Sequence, residues 1–363
     1  MAGPVNATVA LEVVVEKNTI AIYYMTILVP ISVVLNGFVV LAFIRARSLL
    51  KKKDILLVSM AVSDFVQGVA GYMPEAIAYF EDNRFEEPRL TCQMCGFAVT
   101  FLAITSIAHL SYMSFERMLS VAKPYVFGKI TKKRRYIVLI AILLWIYGLT
   151  LALMPLIGWS NYAPEASGWR CSVDWVDQGL ANKSYIAFLF FFGFFIPVSV
   201  LTFSYSVMKY HLRRMKRRTE QQLGRRNSMH ISGPHIADRR HDRMVFVMAL
   251  AFLVAWTPYA LAALWMTITS SYPPHVLLTL SALLAKTSVV VNPIVYSLMY
   301  SKLRLAVLSL LFCDSDVTMS RRIRFIHSTI TTRRLTSDYT PNGIIGGATK
   351  SDSHRRVSDP VFL

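Results

Sequence analysis

Acidic side chains are scarce in this chain of 363 residues, with 21 aspartates and glutamates against 39 lysines and arginines and a formal net charge of +18. Only four cysteines occur in 363 residues, so the chain is not a small scaffold built on disulfides. The chain has no glycine-rich phosphate loop, no zinc-ligand spacing, no nucleophile elbow and no long internal repeat. Those absences argue against P-loop nucleotide chemistry, a structural zinc, hydrolase catalysis and a solenoid. Neither a catalytic set nor a metal centre is expected. The opening MAGPVNATVALEVVVEKN has no basic leader ahead of an apolar stretch, so a cleaved signal peptide is not expected.

Apolar side chains make up 54% of the residues and the mean hydropathy is +0.44, which excludes a soluble protein of this size. Seven apolar spans of membrane-crossing length recur: Ala21 to Ile44, Ile55 to Phe80, Cys92 to Val121, Tyr136 to Gly158, Tyr185 to Met208, Arg243 to Ile268 and His275 to Tyr300. Basic residues set the orientation, because basic loops stay on the cytoplasmic side. They gather after the first span (Arg45, Arg47, Lys51 to Lys53), after the third (Lys123 to Arg135) and after the fifth (Lys209 to Arg240). The loops between carry Glu81, Asp82, Glu86 and Glu87, then Glu165, Asp174 and Asp177. The N-terminus is therefore expected outside and the C-terminus in the cytoplasm. The positive charge is accounted for by topology and anionic lipid, and no nucleic-acid partner is expected.

The expected fold class is all-α, a seven-transmembrane helix bundle. Residues 1–20 form an extracellular segment, 21–300 the bundle, 301–313 a short amphipathic interfacial helix and 314–363 a disordered cytoplasmic tail. Asn6 is a glycosylation candidate, whereas Asn182 lies too near the membrane face. Cys313, just past the last span, is a palmitoylation candidate. Cys92 and Cys171 both fall on the oxidising side and can form a disulfide, leaving Cys95 as a reduced packing residue. Tail hydroxyls such as Ser328, Thr329 and Ser337 sit among basic residues and can accept phosphate.

Lys286 lies within the seventh span, in LLAKTSVVVNPIVY. It is about 15 Å from Tyr296 at about 1.5 Å per residue, half of a hydrocarbon core of about 30 Å. A free charge at that depth costs at least about 2.5 kcal/mol. Two explanations stand: a desolvated amine poised to condense with an aldehyde, or a lysine paired with an acid or facing a water-filled cavity. Asn36, Asp64 and Asn292 are expected to share a polar network in the core, or else to glue helices locally. Glu75, after Pro74, lies in the outer leaflet where it can face Lys286. Glu116 and Arg117 end the third span, and Asp238 and Asp242 open the sixth. They form either a latch in which Arg117 exchanges partners or a solvated charge cluster.

LNGF, AVSD, FER with Arg117, AWTPYA and NPIVY, together with Cys92 and Cys171, resemble a rhodopsin-like G-protein-coupled receptor over residues 20 to 313. A lysine six residues before the asparagine of NPxxY is similar to the retinal-attaching lysine of animal opsins, and GWSNYAPEASGWRCSVDW is similar to their second outer loop. An invertebrate or non-visual type fits best, from Cys95 and FERM. The resemblance implies 11-cis-retinal bound covalently to Lys286 as a protonated Schiff base and light-driven isomerisation to all-trans. It also implies a Cys92–Cys171 disulfide, outward movement of the sixth helix and activation of a heterotrimeric G protein, with arrestin and a receptor kinase expected at the tail. Cys95 stands where vertebrate visual opsins carry the counterion glutamate. Glu165 and Glu75 are therefore both counterion candidates. Trp256, Tyr259, Trp175 and Phe194 resemble pocket aromatics. Arg117, Tyr205, Asn292, Pro293 and Tyr296 resemble the groups that rearrange on activation. The alternatives are a retinal photoisomerase of the same fold, a retinal-bearing ion pump and a chemosensory receptor; the retained FER, NPIVY and basic third inner loop favour signalling.

Overall fold

The computed structural model describes residues 7–45, 54–81, 85, 90–131, 133–165, 167–227, 233–300, 304 and 307. Among them, seven helices are long and apolar enough to cross a membrane: α1 (Thr19–Arg45), α2 (Asp54–Phe80), α3 (Leu90–Ala122), α4 (Arg134–Ile157), α5 (Leu180–Met215), α6 (Arg243–Thr269) and α7 (His275–Met299). Their lipid-facing sides carry exposed Ile, Leu, Val and Phe, such as Leu143, Phe203 and Leu261, because hydrocarbon, not water, is the solvent there. The helix of α1 starts at Ala7, α5 continues to Asn227 and α6 begins as a helix at Gly233, so regular backbone reaches beyond three of the apolar spans. Most of the expected interfacial helix at 301–313, with Cys313, lies outside the described residues, as do Asn6 and the tail.

The central element is α3, which packs against α2, α4, α5 and α6. Its close approach to α4 depends on Gly148: a Cβ added there would collide with Thr105 Oγ1 and stand 3.0 Å from the Phe101 carbonyl. Gly148→Ala is expected to cost about 1–3 kcal/mol by forcing the two helices apart. Thermal melting of the detergent-solubilised protein would measure it, and an unchanged midpoint would contradict the contact. Beside this contact, Trp145 Nε1 donates to Ser59 Oγ (2.9 Å), which also bonds His109 Nε2 (2.9 Å), while His109 Nδ1 reaches the Thr105 carbonyl at 2.8 Å. Both ring nitrogens of the buried imidazole are thus partnered, and it stitches α2, α3 and α4 together.

Three local irregularities aim side chains inward. In α2 the backbone makes a π turn over Gln67–Tyr72 immediately before Pro74, and in α5 another over Phe191–Phe195. A π turn inserts one extra residue and so rotates everything beyond it relative to the helix before it. In α7, regular helix stops at Lys286 and resumes at Ser288. Thr287 Oγ1 bonds the Leu284 carbonyl (2.6 Å) and Ser288 Oγ that of Ala285 (2.8 Å), local bonds that compete with the helical ladder.

The bundle carries one small departure from an all-α fold. Strands β1 (Tyr162–Pro164) and β2 (Cys171–Val173) pair antiparallel in the loop between α4 and α5, with Pro164 opposite Cys171. A disulfide joins Cys171 to Cys92 at the outer end of α3, and Cys95 is a buried free thiol. Phe85 N–H donates to the Gly168 carbonyl (2.8 Å) and Trp169 stacks on Tyr79 (5.6 Å), which holds the hairpin tip against α2. Asn182 is buried and donates to the Asp174 and Asp177 carbonyls (2.7 and 2.9 Å), a structural use for its amide.

Candidate functional site

A cavity of about 1010 Å³ of empty space, its mouth included, opens between the outer halves of α2, α3, α5, α6 and α7 beneath the hairpin. Its middle is apolar, with Ile104, Ile107, Leu189 and Phe194 among the walls. Phe194 sits on the α5 π turn. Trp256 donates its indole N–H to Ser288 Oγ (3.0 Å) and so ties α6 to α7 at the break beside Lys286. Tyr259 is the next turn outward on α6 and Trp175 Nε1 donates to its hydroxyl at 3.2 Å.

The polar end of the cavity holds four ionisable side chains, Lys286, Glu75, Glu165 and Arg170. Lys286 Nζ lies 2.6 Å from Glu75 Oε2, and both residues are buried. The same ammonium sits 4.3 Å from the centroid of the Tyr72 ring, on the π turn, where ring and cation attract. Glu165 does not reach Lys286. Its Oε2 accepts from Arg170 Nε (2.8 Å) with Nη2 at 2.7 Å, and its Oε1 accepts from Tyr259 (2.8 Å). Burial pushes the Glu165 carboxyl up, but Arg170, the Tyr259 hydroxyl and, across the cavity, Lys286 together outweigh that and hold it below the usual carboxylate range. Burial works against the Arg170 charge too, and Glu165 more than offsets it. The two partners agree: this is an ion pair with both members charged.

Arg170 and Tyr72 are the members of this site that sequence reasoning missed. The only signal for Arg170 was that it is the one basic residue between Gly158 and Gly179. Tyr72 had no signal, because its inward direction depends on the π turn.

Deeper in the bundle, Asp64 accepts from Ser106 and from Asn292 (both 2.9 Å). Asn36 donates to the Ser32 and Val289 carbonyls (both 2.9 Å), and Tyr296 reaches its side-chain oxygen at 3.5 Å. Asn36 thus joins α7 through Val289 and Tyr296 and not through Asn292. Pro293 is buried inside the last helical stretch. At the C-terminal end of α3, Arg117 pairs with the adjacent Glu116 at 3.2 Å and lies over the Phe127 ring at 5.8 Å. Tyr205 packs on Phe246 (4.5 Å between centroids), bridging α5 and α6. Asp238 and Asp242 lie in the inward extension of α6, and their side chains are outside the described residues.

The profile of the 7 transmembrane receptor (rhodopsin family) matches residues 35–296. The chain is 32% identical over 315 residues to a blue-sensitive opsin of Gallus gallus, covering 84% of each. It belongs to the animal opsins. Other relatives of this opsin include a pinopsin of Gallus gallus (31% identical over 281 residues, 77% of each chain) and a melanopsin-B of Gadus morhua (29% over 290 residues, 78% of this chain and 46% of the relative). The fold matches squid rhodopsin with a TM-score of 0.71 at 24% identity, covering 83% of this chain and 89% of that one. The opsin is therefore a light-activated receptor of seven membrane-spanning helices, with a retinal chromophore and a G protein as partner. Membership of a receptor family also stands against the photoisomerase alternative.

The residues present fit such a chromophore. A long apolar cavity ends at a single buried amine with one carboxylate beside it, the arrangement that a polyene aldehyde needs.

Proposed function

We propose that the opsin holds 11-cis-retinal covalently on Lys286, with Glu75 as counterion, and that isomerisation to all-trans activates a heterotrimeric G protein on the cytoplasmic side. Lys286 Nζ would hold the chromophore, supplying the amine that replaces the aldehyde oxygen, which would be lost as water. When bound, the chromophore supplies the absorption of light and a change of shape inside the cavity. The remaining work falls to side chains. Glu75 supplies the negative charge that keeps the nitrogen protonated in a site shielded from water. The Lys286 ammonium occupies the place of the protonated nitrogen, and its 2.6 Å approach to Glu75 is the observation that carries this reading.

Trp256, which donates to Ser288 across the α6–α7 contact, is proposed to register the change and pass it to α6, where Pro258 leaves a hinge. At the inner face Arg117 exchanges Glu116 for the G protein as α6 moves outward, with Tyr205 and Tyr296 rearranging alongside. The same reading puts the N-terminus outside and the C-terminus in the cytoplasm, where phosphorylation of the tail by a receptor kinase prepares it for arrestin.

Nucleotide exchange on a purified G protein tests this. With 11-cis-retinal, light is expected to raise exchange at least about tenfold, which corresponds to about 1.4 kcal/mol of population shift. Lys286→Ala is expected to abolish the response to light. A preparation that takes up all-trans-retinal and releases the 11-cis form without stimulating exchange would show a photoisomerase instead.

A further inference from the structure

We infer that Arg170 is a positioning residue that neutralises Glu165 and thereby assigns the counterion role to Glu75. The inference rests on the proposed attachment at Lys286. Register places the pair: Pro164 lies opposite Cys171, so Glu165 and Arg170 face each other one step further along the hairpin, and Glu165 N–H donates to the Arg170 carbonyl at 2.8 Å. The Cys92–Cys171 disulfide fixes this end of the hairpin to α3, and both side chains line the cavity. Arg170 is 2% exposed and donates to one carboxylate oxygen of Glu165 through Nε, with Nη2 at ion-pair distance, while Tyr259 donates to the other.

Two cations and two carboxylates are thus buried around one cavity, and they cancel in pairs: Lys286 with Glu75 and Arg170 with Glu165. A buried ion keeps its charge only beside an opposite one. With Arg170 present, both carboxylate oxygens of Glu165 are engaged by Arg170 and Tyr259, and Glu165 attracts Lys286 only across the cavity without forming an ion pair with it. Without it, the nearest remaining buried cation on the cavity wall is the nitrogen on Lys286, and Glu165 becomes available to it.

The test is the dark absorption of holoprotein regenerated with 11-cis-retinal, read at neutral pH and through a pH titration. The other titratable groups around the site, Tyr24, Tyr72, Tyr79, Cys95 and Tyr259, are left unchanged. Glu75→Gln absorbs in the near-ultraviolet if the reading of Lys286 and Glu75 holds; a visible band in that variant would sink the reading itself. On that background Arg170→Gln is expected to restore a visible band, because Glu165 is released. Arg170→Lys is expected to leave it in the ultraviolet, because the cation is kept. Adding Glu165→Gln to Glu75→Gln/Arg170→Gln is expected to abolish the restored band. A Glu75→Gln/Arg170→Gln pigment that stays in the ultraviolet overturns the inference.

Removing one member of a buried pair can prevent folding, so a charge-neutral variant stands beside these. Glu165→Gln/Arg170→Gln removes both members and is expected to form a pigment absorbing in the visible, displaced from the wild-type band by the altered wall. Near-ultraviolet absorption at neutral pH in that variant would mean that Glu165 acts on the chromophore despite Arg170, and would overturn the inference independently.

Discussion

Replacing Glu75 with glutamine is expected to move the absorption of the regenerated opsin from the visible to the near-ultraviolet at neutral pH. The substitution keeps the shape and removes the one carboxylate, among the described residues, within hydrogen-bonding distance of Lys286. A buried cation without a partner loses its proton about 3–5 pH units lower than in water. Since each unit is about 1.4 kcal/mol, the protonated form gives up roughly 4–7 kcal/mol relative to the neutral one. The sign follows from which form needs the anion: the visible band should return only on acidification, or with a small diffusible anion in the vacated space. Glu75→Asp keeps the charge one carbon further away and is expected to stay visible with a displaced maximum. A Glu75→Gln pigment still visible at neutral pH would show that the nitrogen's charge is balanced elsewhere.

Removing the disulfide is expected to have the second-largest effect. Cys92 and Cys171 are 79 residues apart, and opening a loop of that size costs about 2–5 kcal/mol. The loss falls on the site as well as on stability, because the disulfide anchors the strand next to Arg170 over the cavity. Cys171→Ala should therefore yield little or no pigment at 37 °C, and what forms should lose its chromophore faster in the dark. Cys95→Ala is the control. It removes a buried thiol that makes no bond and should cost no more than about 1.5 kcal/mol. Equal pigment yield and equal dark stability in the two variants would remove the disulfide from the account.

Seven spans could be read from the sequence because hydrocarbon imposes a length and a polarity that few other environments do. The span ends were less legible. The helix of α5 begins at Leu180, just after Gly179, whereas apolar character alone suggested Tyr185, since the residues between them are polar yet helical. Lys286 stood out because a charge at mid-depth needs an explanation, and Glu75 stood out for the same reason. What sequence could not decide was which carboxylate faces the lysine. That depends on two backbone features with no periodic signature. One is the π turn at Gln67–Tyr72, which sets the direction of Tyr72 and Glu75. The other is the hairpin register, which gives Glu165 to Arg170. A short hairpin pinned by a disulfide carries too few residues for strand alternation to be recognised, and so the loop read as irregular. On the inner face, FER and NPIVY marked Arg117 and Tyr296 by their pattern. The tie of Asn36 to the Val289 carbonyl was not legible, since a backbone acceptor leaves no trace in sequence.

The most direct measurement is to locate the chromophore covalently. Borohydride added in the dark to holoprotein regenerated with 11-cis-retinal reduces the C=N bond to a stable secondary amine, and mass spectrometry of the digested protein then finds the modified residue. The retinyl group is expected on Lys286 and nowhere else, with no adduct in Lys286→Ala. An adduct on another lysine, or a visible pigment that survives in Lys286→Ala, would contradict the assignment.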